Sequence, residues 1–169
     1  MAELDFINNR FFDQVVKIPL VICQKFEQEF GEITISAPVG VTINPLTGEL
    51  TPAVTVRIAG SPILRTATVI PDKIINQGVI PVNVFVAGIT LPVIQGLEVP
   101  FEGIIDCPGS RPGDIVQKHD FQIEGVSVSG VTVLLPIPGV NLIIKVVFKF
   151  CLVVASTRLL KVNAAELTC

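Results

Sequence analysis

The residues of this sequence best suited to chemistry are four cysteines. They are Cys23, Cys107, Cys151 and Cys169, and successive members are 84, 44 and 18 positions apart. No two have the CxxC spacing typical of zinc ligands. Cys107 lies in a dense turn, and Cys23 and Cys151 fall on predicted strand faces that also carry lysines. Together with the terminal Cys169, this distribution predicts exposed thiols that cross-link neighbouring chains, and ordinary free thiols in a reducing compartment are the alternative.

Other groups for catalysis or metal binding are sparse. His119 is the only histidine, beside Asp120 in a polar segment. Cys107 with these two residues would supply a nucleophile, a base and an orienting carboxylate, but the neighbouring Asp106 opposes thiolate formation. Asp106 and Asp114 flank the turn and are better explained as turn-stabilising residues than as calcium ligands. Neither GxGxxG nor a P-loop occurs. We therefore expect no enzyme activity, no catalytic residues, no cofactor and no metal.

The composition is very apolar for a protein that works alone. Half of the 169 residues are hydrophobic and 16% are charged, with a mean hydropathy of +0.69. The two long uncharged stretches, 74–97 and 125–144, are interrupted by prolines, glycines and amides that break a spanning helix. We therefore expect no membrane span, and a surface that is largely covered by neighbouring chains.

The charge pattern and the N-terminal residues limit which partners and which cellular location are expected. The net charge is −3, lysines and arginines are scattered, and there is no Tyr or Trp for base stacking, so nucleic acid is not an expected partner. The opening residues MAELDFINNRFFDQ lack the apolar core of a secretory signal. The expectation is a protein that stays in the cell or leaves it without a signal peptide.

The elements that must position these residues are strands. Val, Ile, Thr and Phe are abundant, and Gly and Pro punctuate the sequence at short intervals. Strands are predicted at 15–23, 32–36, 53–59 and 63–70, two or three within 73–99, and then at 115–128, 131–135 and 142–156. Within 73–99, breaks are expected at Gly78, Pro81, Gly88 and Gly96. Residues 22–30 fit either a short helix or a strand with its turn. The spacing predicts an all-β fold, an antiparallel β-sandwich or barrel-like single domain with an N-terminal extension.

Side-chain alternation separates a core face from other faces. In the last long strand the even-numbered residues from Val146 to Val154 are apolar, and the opposite face carries Lys145 and Lys149. The segments 82–87 and 131–135 are apolar on both faces. Because one sheet of a single domain normally has only one covered face, these segments predict contact with another subunit.

The segments VIPDKIINQGVIPVNVFV, at 69–86, and VPFEGIIDCPGSRPGD, at 99–114, resemble the SPOCS domain of spore-forming Firmicutes. The opening VKIP and the closing strand at 144–154 are also similar to that family, so the likeness covers roughly residues 14–164. The resemblance implies a spore-coat or spore-envelope morphogenesis protein. Family members often carry a LysM peptidoglycan-binding module, and this sequence contains no such segment.

The resemblance and the composition together give a functional expectation. The chain would be a self-assembling structural subunit of a spore surface layer or a spore-associated, extracellular fibre. It would be made in the mother-cell cytoplasm, partnered by copies of itself or by other spore-envelope proteins, and cross-linked by disulfides between subunits. The alternative is a binding module that does not polymerise and recruits another coat protein or a cell-wall glycan.

This interpretation divides the chain into three segments. Residues 1–13 would be an extension, 14–164 the SPOCS-like β domain, and 165–169 a tail ending in Cys169. The extension carries Phe6, Ile7, Phe11 and Phe12. Such an arm would add a strand or a hydrophobic plug to the next subunit, and a terminus packed on its own domain is the alternative.

Overall fold

The structure, a computed structural model, describes residues 11–134 and 139–165, with side chains over 15–134 and 139–160. Every regular element in those residues is a β-strand, so the predicted all-β class is confirmed. The strands are β1 (Phe11–Ser36), β2 (Thr42–Ile43), β3 (Leu50–Thr51), β4 (Val54–Ile58), β5 (Ile63–Ile70), β6 (Lys73–Val86), β7 (Ile94–Asp106), β8 (Ile115–Val133) and β9 (Gly139–Ala165).

Seven of these strands form one antiparallel sheet that curls into a nearly closed barrel. Its order is β4-β6-β7-β1-β9-β8, and β5 pairs with the first half of β6 while β4 pairs with the second half. The two ends of the sheet approach each other where β4 contacts β8. Within the described residues, β1 and β7 are paired only at Gly31 and Phe101. The sheet is therefore weakly joined at this place, which we call the β1–β7 seam.

The interior is filled mainly from β6 and β9. Every second residue of β9 from Leu142 to Val154 is fully buried, which confirms the predicted core face of the last strand. Four phenylalanines form the centre of the core, with the rings of Phe101 and Phe148 packed edge to face at 4.8 Å between centroids. Phe121 and Phe150 complete this group. Aromatic packing of this kind adds to the hydrophobic burial that holds the barrel together.

Several strands are longer than the sequence patterns predict. β6 continues through Gly78 and Pro81, β8 is one strand where two were expected, and residues 22–30 lie inside β1. Pro81 is tolerated because it stands opposite the 59–62 loop, where the neighbour of β6 changes from β4 to β5. The backbone N–H of Ala59 donates to the Pro81 carbonyl at 2.8 Å, so the missing N–H of proline interrupts no ladder there.

Gly78 marks a close approach inside the sheet and does not break the strand. It pairs with Leu64 on one side and Phe101 on the other. A Cβ atom at this position would overlap both the Phe101 ring and the backbone oxygen of Ile63. The glycine therefore lets an aromatic ring from the neighbouring strand lie directly over the backbone of β6.

We expect Gly78→Ala to lower the free energy of unfolding by about 1–3 kcal/mol, because the added methyl group forces the backbone or the ring to move. The measurement is chemical denaturation. Gly125→Ala is the matched control, since a Cβ at Gly125 meets no atom within 4 Å. Equal stability of the two variants would contradict the close-packing explanation.

Candidate functional site

Beyond the barrel, β1 and β9 continue as a two-stranded ribbon. The pairing of β8 with β9 reaches Ala155, whereas β1 and β9 stay paired from Leu20 with Ser156 to Phe11 with Ala165. We call residues 11–20 and 156–165 the terminal ribbon. In the part of the chain that the structure describes, these two strands pair only with each other, so each has one edge without a neighbour.

Both faces of the terminal ribbon carry exposed apolar side chains. Val16, Leu20 and Leu160 lie on one face, and Val15 and Leu159 lie on the other. Leu159 is 71% exposed and Val15 is 59% exposed. A two-stranded ribbon is marginally stable in water, and apolar residues on both faces make exposure to solvent still less favourable. These features are typical of a segment that a neighbouring chain covers.

The terminal ribbon includes part of the arm predicted from the sequence. Phe11 and Phe12 are the first residues of β1 and pair with Ala165 and Ala164. The last three residues of the predicted extension are therefore already in the sheet. Phe6 and Ile7 lie outside the described residues, as does Cys169.

A β-bulge at the base of the ribbon reverses the faces of β1. The register with β9 shifts between Val21 and Cys23. A shift of one residue exchanges the inner and outer side chains of a strand. Cys23 therefore points inward beside Val154, although the alternation in the sequence predicts that it shares a face with Lys17. The bulge is the physical reason that this prediction is wrong.

The reversal has an unusual consequence for the next residues of β1. Lys25, Glu27 and Glu29 lie opposite fully buried residues of β9 and so point into the barrel. Phe26 and Phe30 point outward and are 73% and 61% exposed. Sequence reasoning missed this exchange, because charged residues are normally placed outside and phenylalanines inside. The outward face of β1 therefore carries exposed Phe26 and Phe30 in alternation with the exposed glutamines Gln24 and Gln28.

Cys23 and Cys107 form a disulfide bond within the chain, with their Cα atoms 6.0 Å apart. The prediction of exposed, cross-linking thiols is therefore wrong for these two residues, and Cys107 is fully buried. Cys151 lies on the lysine-bearing face as expected but is only 2% exposed. It is paired with Phe26 on one side and His119 on the other, and these larger neighbours shield the small side chain.

The disulfide joins the two sides of the β1–β7 seam, where backbone pairing is limited to one position. The turn after β7 is also tied to the turn before β6. The Cys107 N–H donates to the Asp72 carbonyl at 2.8 Å, and the Asp72 N–H donates to the Ser110 carbonyl at 3.0 Å. The Gly109 N–H donates to the Asp72 carboxylate at 2.7 Å. The two segments that resemble the SPOCS domain thus contact each other.

Cys107 has no free thiol that could act as a nucleophile, because its sulfur is bonded to Cys23. His119 Nδ1 lies 2.6 Å from Asp120 Oδ2, and both side chains are about half exposed. Asp114 accepts a hydrogen bond from the Arg111 N–H at 2.8 Å, which is a turn-stabilising contact. Among the described residues, no group of three or more His, Cys, Asp or Glu side chains could hold a metal ion.

The inward side chains of β1 belong to a polar cluster inside the barrel. Asn76, fully buried on β6, donates from Nδ2 to both carboxylate oxygens of Glu29, at 2.8 and 2.6 Å. Lys118, on β8, places Nζ 4.3 Å from the centre of the Phe150 ring. Burial raises the pKa of the Glu29 carboxyl and lowers the pKa of the Lys118 ammonium to about 8. Sequence patterns gave no signal for this cluster, because its members come from three separate strands.

No helix in residues 11–134 or 139–165 has the length and apolarity that a membrane crossing requires. No family model, no curated protein and no solved structure matches this chain.

Proposed function

We propose that this protein is a structural subunit that assembles with copies of itself through the terminal ribbon. The observation that carries the proposal is the ribbon itself: within the described residues neither outer edge has a neighbouring strand, and both faces carry exposed apolar side chains. Burying these side chains against a neighbour would contribute roughly 25 cal/mol for each Å² of apolar surface removed from water. The free edges would add backbone hydrogen bonds to that contact.

The geometry of the ribbon favours an open assembly. Its two edges belong to different strands, β1 and β9, and we propose that the β1 edge of one copy pairs with the β9 edge of the next. Contacts between unlike surfaces repeat along a line unless the rotation between copies closes a ring. A fibre or a layer is therefore the expected product. The outward Phe26 and Phe30 provide further apolar surface for such packing.

The resemblance to the SPOCS domain supports a spore surface layer or a spore-associated fibre as the setting, with other spore-envelope proteins as additional partners. The assembly proposal does not depend on this setting, because it rests on the ribbon. Disulfides between subunits remain a proposal for Cys169 alone, since Cys23 and Cys107 bond to each other and Cys151 is buried.

A second candidate function, recruitment of another coat protein or a glycan without polymerisation, is favoured by an open groove of about 750 Å³. The groove lies where β1 crosses β7, beside β5, and combines the apolar Phe30 and Pro100 with the ion pair of Arg65 and Glu98. Mixed apolar and polar lining of this kind suits a peptide or a sugar.

The test compares the wild-type protein with a ribbon variant that keeps the ribbon paired. Val16→Glu with Leu160→Lys places opposite charges at a directly paired position, and Leu159→Glu lies opposite Lys17. These pairs should preserve the ribbon by cross-strand attraction while making its faces polar. We expect the wild type to form assemblies in negative-stain electron microscopy and light scattering, and the variant to behave as an 18.1 kDa particle.

Leu46→Glu is the matched control, because Leu46 is 94% exposed in the turn between β2 and β3, outside the ribbon. It should assemble like the wild type. If the wild type is monomeric at every concentration tested, the assembly proposal is wrong and the recruiting module becomes the better explanation.

A further inference from the structure

A pocket of about 410 Å³ lies at the base of the terminal ribbon, beside the turn that follows Cys107. The turn and the bulge are in close contact there, because a Cβ atom at Gly109 would lie 3.4 Å from the Ile22 side chain. The pocket therefore has one wall from the turn and one from the bulge and the ribbon. The side chains of these two walls are Arg111 and Asp114 from the turn, and Val21, Ile22, Ser156 and Arg158 from the strands.

Two arginines give this pocket an excess of positive charge. Among the side chains that the structure describes, neither Arg111 nor Arg158 takes part in an ion pair. Asp114 contributes one negative charge, and its carboxylate accepts a hydrogen bond from the Arg111 N–H at 2.8 Å. A guanidinium binds a carboxylate through two parallel hydrogen bonds. A segment that carries carboxylates is therefore the ligand that suits the pocket.

The N-terminal residues of the chain have the matching chemistry. The sequence at 3–7 is ELDFI, in which acidic residues alternate with apolar ones. In an extended chain Glu3 and Asp5 would share one side, and Leu4 and Phe6 would share the other. The carboxylates are suited to the two arginines, and the apolar side chains are suited to the exposed apolar residues of the ribbon beside them.

The larger groove beside β5 is a poorer receptor for this segment. Its lining contains Glu32, Glu98 and Glu102, against the positive charge of Arg65. Like charges that face each other across a contact cost free energy, so an acidic segment is repelled there. Charge therefore favours the pocket at the base of the ribbon.

The segment must come from a neighbouring copy, because the same chain is too short to fold back. Phe11 lies at the far end of the described ribbon, and the ten residues from there to Val21 span about 33 Å in a strand. The six residues from Phe11 back to Asp5 reach at most about 22 Å when fully extended. Asp5 of the same chain would therefore end roughly 11 Å short of Val21. A copy whose ribbon overlaps this one is not subject to that limit.

We infer that the N-terminal segment of one copy docks in this pocket of the next copy, where Glu3 and Asp5 are bound by Arg111 and Arg158. The inference rests on the assembly proposal, since the pocket is filled only when the ribbons of two copies lie together. It goes beyond that proposal because it names an ionic contact that selects the neighbouring chain. Apolar burial along the ribbon would supply attraction, and the carboxylate–guanidinium contact would fix the position of one copy on the other.

The test is a charge-exchange cycle on the full chain, read by light scattering. Arg158→Glu and Asp5→Arg should each raise the lowest concentration that assembles by about tenfold, because each places like charges in contact. The combined variant again pairs opposite charges and should return to within about threefold of the wild type. Arg57→Glu is the control, since it makes the same charge change at an exposed residue of β4, outside the pocket and the ribbon. It should assemble like the wild type.

The outcomes separate this inference from the assembly proposal. If the wild type assembles and Arg158→Glu assembles equally well, the docking inference is wrong and assembly through the ribbon stands. The same conclusion follows if Asp5→Arg does not rescue Arg158→Glu. If the wild type never assembles, the assembly proposal is wrong and the docking inference fails with it. Rescue in the combined variant also requires that a chain with Arg158→Glu folds, so misfolding cannot imitate the expected result.

Discussion

Removing the Cys23–Cys107 disulfide is expected to lower the free energy of unfolding by about 2–5 kcal/mol. The bond closes a loop with a sequence separation of 84, which strongly restricts the unfolded chain. It also joins β1 to β7, whose backbones are paired only at Gly31 and Phe101 among the described residues. Without it, backbone pairing at the seam would rest on that one pair, while Asn76 of β6 still donates hydrogen bonds to Glu29 of β1. The loss should therefore exceed that of an exposed disulfide in a well-paired sheet.

The measurement is guanidinium denaturation of the wild type and of Cys23→Ala/Cys107→Ala, each with and without reductant. The wild-type midpoint should fall when reductant is present, and the midpoint of the double variant should not change. Cys151→Ala is the control, because Cys151 is the buried free cysteine of the described residues and its variant should keep the response to reductant. A wild-type midpoint that ignores reductant would contradict the role assigned to the bond.

The sequence predicts the fold class because strand residues and turn residues alternate over the whole chain. The alternation in β9 also identifies the core face correctly, from Val146 to Val154. This strand is regular, lies between β1 and β8, and has one apolar face against the barrel interior. The two-residue alternation of side chains is sufficient to identify the core face of such a strand, because no bulge interrupts its buried part and the lysines mark the other face.

The same reasoning fails in β1 because the bulge near Ile22 cannot be recognised from the pattern. One extra residue exchanges inside and outside for the segment that follows. Charged side chains then enter the barrel, where Glu29 finds Asn76, and phenylalanines remain outside. The disulfide was missed for the same reason, since Cys23 turns inward only after the bulge. The pairing of distant strands, which sets these contacts, leaves no local signal in the sequence.

The outward phenylalanines and one of the two strands of the terminal ribbon both belong to β1. Along residues 24–30 the inner side chains of β1 are charged, and on the outer face Phe26 and Phe30 alternate with glutamines. Both faces of the ribbon carry apolar side chains. The arrangement is consistent with β1 packing against a neighbouring subunit through the same outer surface along its length.

Replacing Phe148 and Phe30 one at a time should distinguish a residue that stabilises the core from a residue of the assembly surface. Phe148→Ala is expected to lower the free energy of unfolding by about 3–5 kcal/mol, because the ring is fully buried and packs against Phe101 at 4.8 Å between centroids. Phe30→Ala should change the stability of the monomer by less than about 0.5 kcal/mol, because the side chain is 61% exposed. Both are aromatic residues in strands, so the chemistry removed is the same.

The two substitutions should be made in the ribbon variant for denaturation, so that assembly does not affect the monomer measurement. Each should also be made in the wild type for light scattering. There, Phe30→Ala is expected to weaken assembly without changing the fold. If Phe30→Ala were as destabilising as Phe148→Ala in the monomer, the outward face of β1 would be part of the core and could not serve as an assembly surface. If it left assembly unchanged, the contact between subunits would be confined to the terminal ribbon, because the outward phenylalanines would have no partner to lose.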